Sequence, residues 1–175
     1  KVAKKTKQIL HAKKINGIDI ADGMLELGRK KIEKRGLLQT IELNSGDSET
    51  INYPDSSFDA VTVAFGVRNF EKLEKGLLEM HRVLKPGGKL VILEFSKPKN
   101  IVVKFFYNIY INYVAPAFGN LFSRNKHAYK YLNSSIHAFT EREKFIEVLN
   151  KSGYIQTYYK PLSLGICCVY CGYKA

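Results

Sequence analysis

Residues 15–25 read INGIDIADGML, and how this stretch is parsed decides the fold. A short apolar run ends in an acid, Asp19, and a helix start follows. We expect a buried strand over Ile15–Ile20 and a helix over Met24–Arg35, with Asp22 as N-cap and Gly36 as the C-terminal stop. An acid at the carboxyl end of a parallel strand lies in the crevice where open α/β sheets take ligands. There it can accept two hydrogen bonds from ribose hydroxyls, although Asp is also a common residue at an ordinary helix start. Such an acid normally follows a glycine-rich loop by about 20 residues. Here only Lys1–Asn16 precede, and the first glycine is Gly17.

Outward from this stretch the pattern repeats. A helix is expected over Val2–His11 and a second strand at LLQTIEL (37–43). A Gly/Asp/Ser/Pro-rich loop, GDSETINYPDSS, covers 46–57, and a third strand follows at FDAVTVAFG (58–66). Leu73, Leu77, Met80 and Leu84 recur at helical spacing, and KPGG (85–88) should end that helix sharply. KLVILEF (89–95) is apolar enough for a strand buried on both faces. The order β-α-β-β-α-β implies a mostly parallel sheet with crossover helices. After Pro98 the chain becomes aromatic, with Ile101, Phe105, Ile109 and Tyr113 at helical spacing, and residues 99–137 read as a helical insert. A helix over Thr140–Ser152 should carry a capping box from Thr140 to Glu143. Two strands around Pro161 and Gly165 would finish the sheet as an antiparallel hairpin. The fold class expected is therefore α/β, Rossmann-like, in a single domain over 1–175.

Composition narrows the function classes. An apolar fraction of 45% and an aromatic fraction of 12% argue against disorder. The net charge is +12, of which residues 1–35 hold +7, from 11 Lys/Arg against 4 Asp/Glu. That block could face an anionic surface or be the solvated sides of two helices. No aromatic residue interleaves it, so nucleic acid is not expected as a partner. Cys167, Cys168 and Cys171 lie in a strand-like run. The odd count fits a reducing compartment, and CxxC without a second half fits core packing better than zinc, so no metal is expected. The region 101–122 is too interrupted to span a bilayer.

Several residues carry chemistry. Asp47, in the loop after the second strand, could accept from an adenine amino group while Ser48 offers a backbone N–H. Asp19 and Asp47 are 28 residues apart at the ends of adjacent strands, a nucleoside-sized arrangement. Gly66 lets the backbone approach a ligand. Arg68 and Asn69 then place a cation and an amide at the same crevice. Glu94 is either an internal partner for Arg68 or a substrate contact.

RVLKPGGKLVILEFSKP (82–98), with GIDIADGMLELGRKKI, PDSSFDAVTVAFGVRNF and the terminal GYK, resembles the ubiquinone/menaquinone biosynthesis C-methyltransferases. KPGG is widespread among class I methyltransferases, whereas FGVRNF followed by the 82–98 run is far more specific. The resemblance implies a fold that binds S-adenosylmethionine and methylates a ring carbon of a polyprenylated hydroquinone. It places Asp19 on the ribose, Met24 on the cofactor side, and Asp47 with Ser48 on the adenine. Ala64 falls where relatives often have a cofactor-contacting serine. Arg68 and Asn69 match the pair beside the reacting methyl. Phe65, Gly66, Tyr129 and Tyr131, with His127, would line the ring pocket.

Arg68 is a poor base, so its expected part is to hold an oxyanion or a water, oriented by Asn69. The family pattern begins with a Tyr-Asp-x-Met-Asn segment, a first strand and a glycine-rich loop, and Lys1 is expected to start after them. The expectation is a chain without its first strand that by itself binds cofactor weakly or not at all. The preferred substrate is demethylmenaquinol; a methoxybenzoquinol, or a degenerate non-catalytic binding module, are the alternatives. The aromatic segment 101–122 could receive a polyprenyl tail while Lys104, Arg124 and Lys126 meet anionic headgroups. The expected setting is cytoplasmic, with peripheral contact at the inner face of the cell membrane and a homo-oligomer left open.

Overall fold

The computed structural model describes residues 12–111 and 127–175, the side chains of 127–130 excepted. The expected Val2–His11 helix, Tyr113, Arg124, Lys126 and the side chains of His127 and Tyr129 lie outside the described residues. The chain divides into two compact units, one ending at Pro54 and the other starting at Asp55, and each has its own sheet.

In the first unit, strands β1 (Ile15–Asp19) and β2 (Ile41–Ser45) pair in parallel, with helix α1 (Asp22–Glu33) as their connection. The helix packs close because two glycines surround Leu43. A Cβ on Gly17 would lie 2.6 Å from one Leu43 methyl, and one on Gly28 2.5 Å from the other. Arg29 adds hydrogen bonds of 3.2 and 2.8 Å to the Leu43 carbonyl. The helix ends as expected, with Gly36 at φ +63°, a conformation that costs glycine little. Its start differs. The N-cap is Ala21, without a side-chain cap, and Asp22 is the first helical residue, its charge favourable at a helix N-terminus. β2 is shorter than its apolar run because the amides of Thr40 and Ile41 both turn back to the Leu37 carbonyl.

The second unit holds a four-stranded sheet in the order β3 (Phe58–Ala64), β4 (Leu84–Phe95), β6 (Cys167–Lys174), β5 (Tyr154–Leu162). β3 and β4 are parallel, and β4–β6 and β6–β5 are antiparallel, so the expected terminal hairpin is present. Among the described residues no strand bridges β1 and β3 into one continuous ladder. Helix α2 (Leu73–Val83) connects β3 to β4, and α5 (Glu143–Lys151) precedes β5. Before α5 come α3 (Ile101–Ile109) and α4 (His127–Ala138). KPGG ends α2 but does not remain a turn. It belongs to β4 as an irregularity, with Phe58 opposite Leu84 and Ala60 already opposite Lys89. Gly87, at φ +74°, and Pro86, which has no N–H to donate, suit that bulge.

Leu77, Met80 and Val83 of α2 and Phe145 and Leu149 of α5 are buried with Leu90, Ile92, Cys168 and Tyr170 of the sheet. Each such side chain is worth about 1.5–3 kcal/mol on burial. Phe145 meets Tyr170 edge-on at 4.7 Å, and the Tyr154 hydroxyl donates to the Leu77 carbonyl at 3.0 Å. Burial on both faces of β4 is not what forms. Leu90, Ile92 and Glu94 are buried, but Val91, Leu93 and Phe95 are only half buried, because α2 and α5 both pack on the first face.

The Thr140 capping box does not form either. Arg142 is the N-cap, at φ +59° and without a side-chain cap. Its buried guanidinium donates to Ser96 Oγ at 3.1 Å and to the carbonyls of Lys97 and Gly165, while its own amide donates to the Tyr170 hydroxyl at 2.8 Å. These long-range ties outweigh the local cap. The three cysteines are free thiols, Cys168 and Cys171 buried and Cys167 half buried, as core packing requires.

Candidate active site

In the first unit the carboxyl ends of β1 and β2 bring the two expected acids to one edge. Asp19 pairs with Ser45 in register, and the Gly46 amide donates to the Asp19 carbonyl at 3.1 Å, so Asp47 lies just beyond. Asp19 Oδ1 accepts from the Ala21 amide at 2.9 Å, and Asp47 Oδ1 accepts from the Glu49 amide at 2.8 Å. Each carboxylate thus has one oxygen tied to its own turn, which fixes its direction, and both side chains are exposed. Ser48 is half buried in the same turn, closed by a bridge from Asp47 to Thr50.

Ile20 and Met24 are both exposed beside Asp19, Ile20 at 76%. An apolar side chain left in water next to an oriented acid suits the flat face and hydroxyl edge of a nucleoside. Ile20 was hidden from sequence reasoning because it reads as the last residue of a buried strand. A cavity of about 280 Å³, lined by residues including Ile18, Asn44, Ser45 and Tyr53, opens in this unit.

In the second unit the corner after β3 is built from Phe65 to Asn69. Phe65 has φ +57°, strained for an aromatic residue at a cost of about 1–3 kcal/mol. Gly66, beside it, has an ordinary negative φ of −114°. Strain of this kind concentrates where a site is held in place. Here the Phe65 carbonyl accepts from Arg68 Nη1 at 2.6 Å, and the Phe65 ring lies 4.6 Å from Phe95. Gly66 also packs closely, since a Cβ there would sit 3.0 Å from a Val63 methyl.

The Arg68 side chain is only 10% exposed and Glu94 is fully buried, with Nη1 to Oε1 at 2.8 Å. The same Oε1 accepts from the Phe95 amide at 2.8 Å, and Oε2 from the Arg68 amide at 3.4 Å. Arg68 Nε donates to Ser135 Oγ at 3.3 Å, and its guanidinium lies 5.3 Å from the Phe95 ring centre. Of the two expectations for Glu94, the internal partner is the one present. Asn69 is exposed, and its Oδ1 accepts from the Tyr131 hydroxyl at 3.2 Å. The structure therefore joins Arg68, Asn69, Phe65, Gly66 and Tyr131 at one corner, with Ala64 exposed on the strand that leads into it. Ser135 and Phe95 were missed. Ser135 is 67 residues from its partner, and no local spacing signals that pairing.

The arrangement suits binding and charge placement. Among the described residues no cluster of His, Cys, Asp and Glu could hold a metal ion. The acids of the first unit fit the adenosine half of S-adenosylmethionine, since both are exposed and oriented, and Asp19 has the exposed Ile20 and Met24 beside it.

The sequence pattern of the ubiE/COQ5 methyltransferase family matches residues 2–174. Demethylmenaquinone methyltransferase of Bacteroides fragilis is 42% identical over 165 residues, covering 94% of this chain and 67% of that protein. A ubiquinone/menaquinone biosynthesis C-methyltransferase of Geotalea daltonii is 42% identical over 160 residues, covering 91% and 68%. Among solved structures, a phosphoethanolamine N-methyltransferase of Haemonchus contortus, in complex with S-adenosylhomocysteine, matches 98% of this chain and 46% of its own at a TM-score of 0.70 and 13% identity. A SAM-dependent methyltransferase of Aquifex aeolicus matches 93% and 69% at 0.65 and 17%. At such identities these structures speak to the fold alone, the α/β class of S-adenosylmethionine-dependent methyltransferases. The chain belongs to the ubiE/COQ5 methyltransferase family.

Proposed function

We propose that this chain methylates a ring carbon of a polyprenylated hydroquinone, demethylmenaquinol, in quinone biosynthesis. Membership of the family and the naming of its Bacteroides relative support the substrate class. The observation that carries the reading is the Phe65–Asn69 corner. There a buried, compensated guanidinium stands behind an exposed amide and phenol.

S-adenosylmethionine, when bound, supplies the electrophilic methyl of a sulfonium. Asp19 holds the ribose hydroxyls and Asp47, with Ser48, the adenine edge, with Ile20 and Met24 against the base. Asn69 and Tyr131 together offer a donor and an acceptor to a quinol hydroxyl. Loss of that hydroxyl's proton makes the ring carbon electron-rich, and Arg68 favours the phenolate so formed. The new ring carbon–methyl bond would take its electron pair from the ring as the methyl–sulfur bond breaks and leaves its pair on sulfur. The ring C–H proton would then leave to solvent and the phenolate oxygen would regain a proton, restoring the quinol. Arg68 does not take a proton, because a guanidinium stays charged. The chain's work is orientation, worth up to about 7–11 kcal/mol when near-attack geometry is reached, plus stabilisation of oxyanion charge. The quinol's tail is lipid-soluble, so the enzyme meets it at a membrane surface.

The test is product analysis after incubation with S-adenosylmethionine and either demethylmenaquinol or a polyprenyl methoxybenzoquinol. Methylation of the naphthoquinol alone is expected. Methylation of the benzoquinol would move the substrate to ubiquinone biosynthesis, a reading that the name of the Geotalea relative also covers. No product from either would overturn the enzyme reading.

A further inference from the structure

Helix α4 meets the 3-10 turn Val67–Asn69 through two side chains four residues apart, which share one face of the helix. Tyr131 donates its hydroxyl proton to Asn69 Oδ1 at 3.2 Å, and one turn later Ser135 Oγ accepts from Arg68 Nε at 3.3 Å. Ser135 is buried, and its own proton goes to the Leu132 carbonyl at 2.9 Å. A hydroxyl whose one donor is spent in this way presents only lone pairs to its other neighbour. Ser135 is therefore a fixed acceptor aimed at Arg68.

Arg68 needs that acceptor. Its other side-chain hydrogen bonds, to the Phe65 carbonyl and to Glu94 Oε1, both leave from Nη1. A planar group held at one nitrogen and at its stem can still swing about the line between them. Ser135 binds a different nitrogen and stops the swing. The fork geometry of the guanidinium then fixes Nη2, which shares an edge with the Nε–H and so faces the same side as Ser135. Nη2 meets no hydrogen-bond partner among the described residues, so its donors are the ones left for a ligand oxygen. Asn69 and Tyr131 are exposed on the same seam between helix and turn.

We infer that Ser135 is a positioning residue for the methyl transfer: by holding Arg68 Nε it sets the plane of the guanidinium, and with it the direction in which Nη2 meets the quinol oxygen. The inference deepens the proposed function and rests on it for the identity of that oxygen.

The experiment compares wild type, Ser135→Ala and Ser135→Thr by two readouts. The first is the Arg68 Nε–H signal in proton–nitrogen correlation spectra of the full chain, assigned by its loss in Arg68→Met. Ser135→Ala should shift this signal and speed its exchange with water, and Ser135→Thr, which keeps the hydroxyl, should restore it. The second is turnover of demethylmenaquinol across pH. In Ser135→Ala kcat should fall by roughly ten- to a hundredfold, with the affinity for S-adenosylmethionine unchanged. A misaligned Arg68 favours the phenolate less, so the rising limb of the kcat profile should move to higher pH, and Ser135→Thr should bring it back. An Arg68 Nε–H signal unchanged in Ser135→Ala, or an unchanged kcat, would overturn the inference. A loss of kcat with the limb unmoved, or shared equally by Ser135→Thr, would mark a merely structural role and overturn it too. A wild type that methylates no quinol while the Nε–H signal responds as expected defeats the proposed function and leaves the orienting contact in place.

Discussion

Replacing Glu94 by Gln perturbs the second unit at its most charged buried point. The carboxylate is fully buried, and its two oxygens serve Arg68 Nη1, the Phe95 amide and the Arg68 amide at 2.8, 2.8 and 3.4 Å. Gln has the same shape but one acceptor, so its amide N–H must face another donor. The Arg68 guanidinium, 10% exposed, keeps its charge and loses its counter-charge. Breaking a buried pair from one side costs about 3–5 kcal/mol. Because Gln retains one hydrogen bond, the lower end applies, about 3 kcal/mol. At about 2–4 °C per kcal/mol this lowers the melting temperature by about 6–12 °C. Arg68→Met, which strands the buried carboxylate, should cost at least as much. The double variant Arg68→Met/Glu94→Gln should cost less than the two single changes summed, since neither charge is then left alone. Thermal unfolding followed by circular dichroism reads all of these. A Glu94→Gln protein within about 0.5 kcal/mol of wild type, or strictly additive singles, would refute the pairing argument.

Tyr131→Phe removes only the hydroxyl that donates to Asn69, on an exposed side chain, so the melting temperature should stay put. Its effect should appear in turnover of the quinol, with cofactor affinity unchanged by calorimetry. Asp19→Asn keeps the acceptor for the Ala21 amide but removes the charge, and S-adenosylmethionine should bind about tenfold or more weakly in a calorimetric titration. His81 has its pKa lowered from the ordinary 6.5, first by burial and then by Lys174. The unfolded chain therefore takes up this proton before the folded one does. The stability that His81 contributes is complete above about pH 6.5 and is lost as pH falls below it. Urea unfolding across that range should show a slope that His81→Phe reduces; an unchanged slope would mean that another group sets it.

What could be read from the sequence was local or periodic. INGID, FDAVTVA and KLVILEF have the composition of strands, and Leu73–Val83 has the spacing of a helix, so topology followed from their order. Asp19, Asp47, Arg68 and Asn69 stand at strand ends, and strand ends can be located from sequence. What could not be read depends on contacts between distant residues. The Thr140 box lost to Arg142, whose partners Ser96 and Gly165 are remote in sequence. The positive φ sits on Phe65 and not on the glycine beside it, because the Phe65 carbonyl and ring are both engaged, by Arg68 and Phe95. The outward side of α3 was legible as an apolar period, but a period does not tell which side the protein covers.

The most direct measurement follows a deuterium-labelled methyl group from S-adenosylmethionine into demethylmenaquinol by mass spectrometry, with the labelled position located by fragmentation. Label on the ring carbon, lost when Arg68 or Asn69 is replaced, is the predicted result. A quinol recovered unlabelled while the cofactor is bound, or a label on oxygen, would contradict the account.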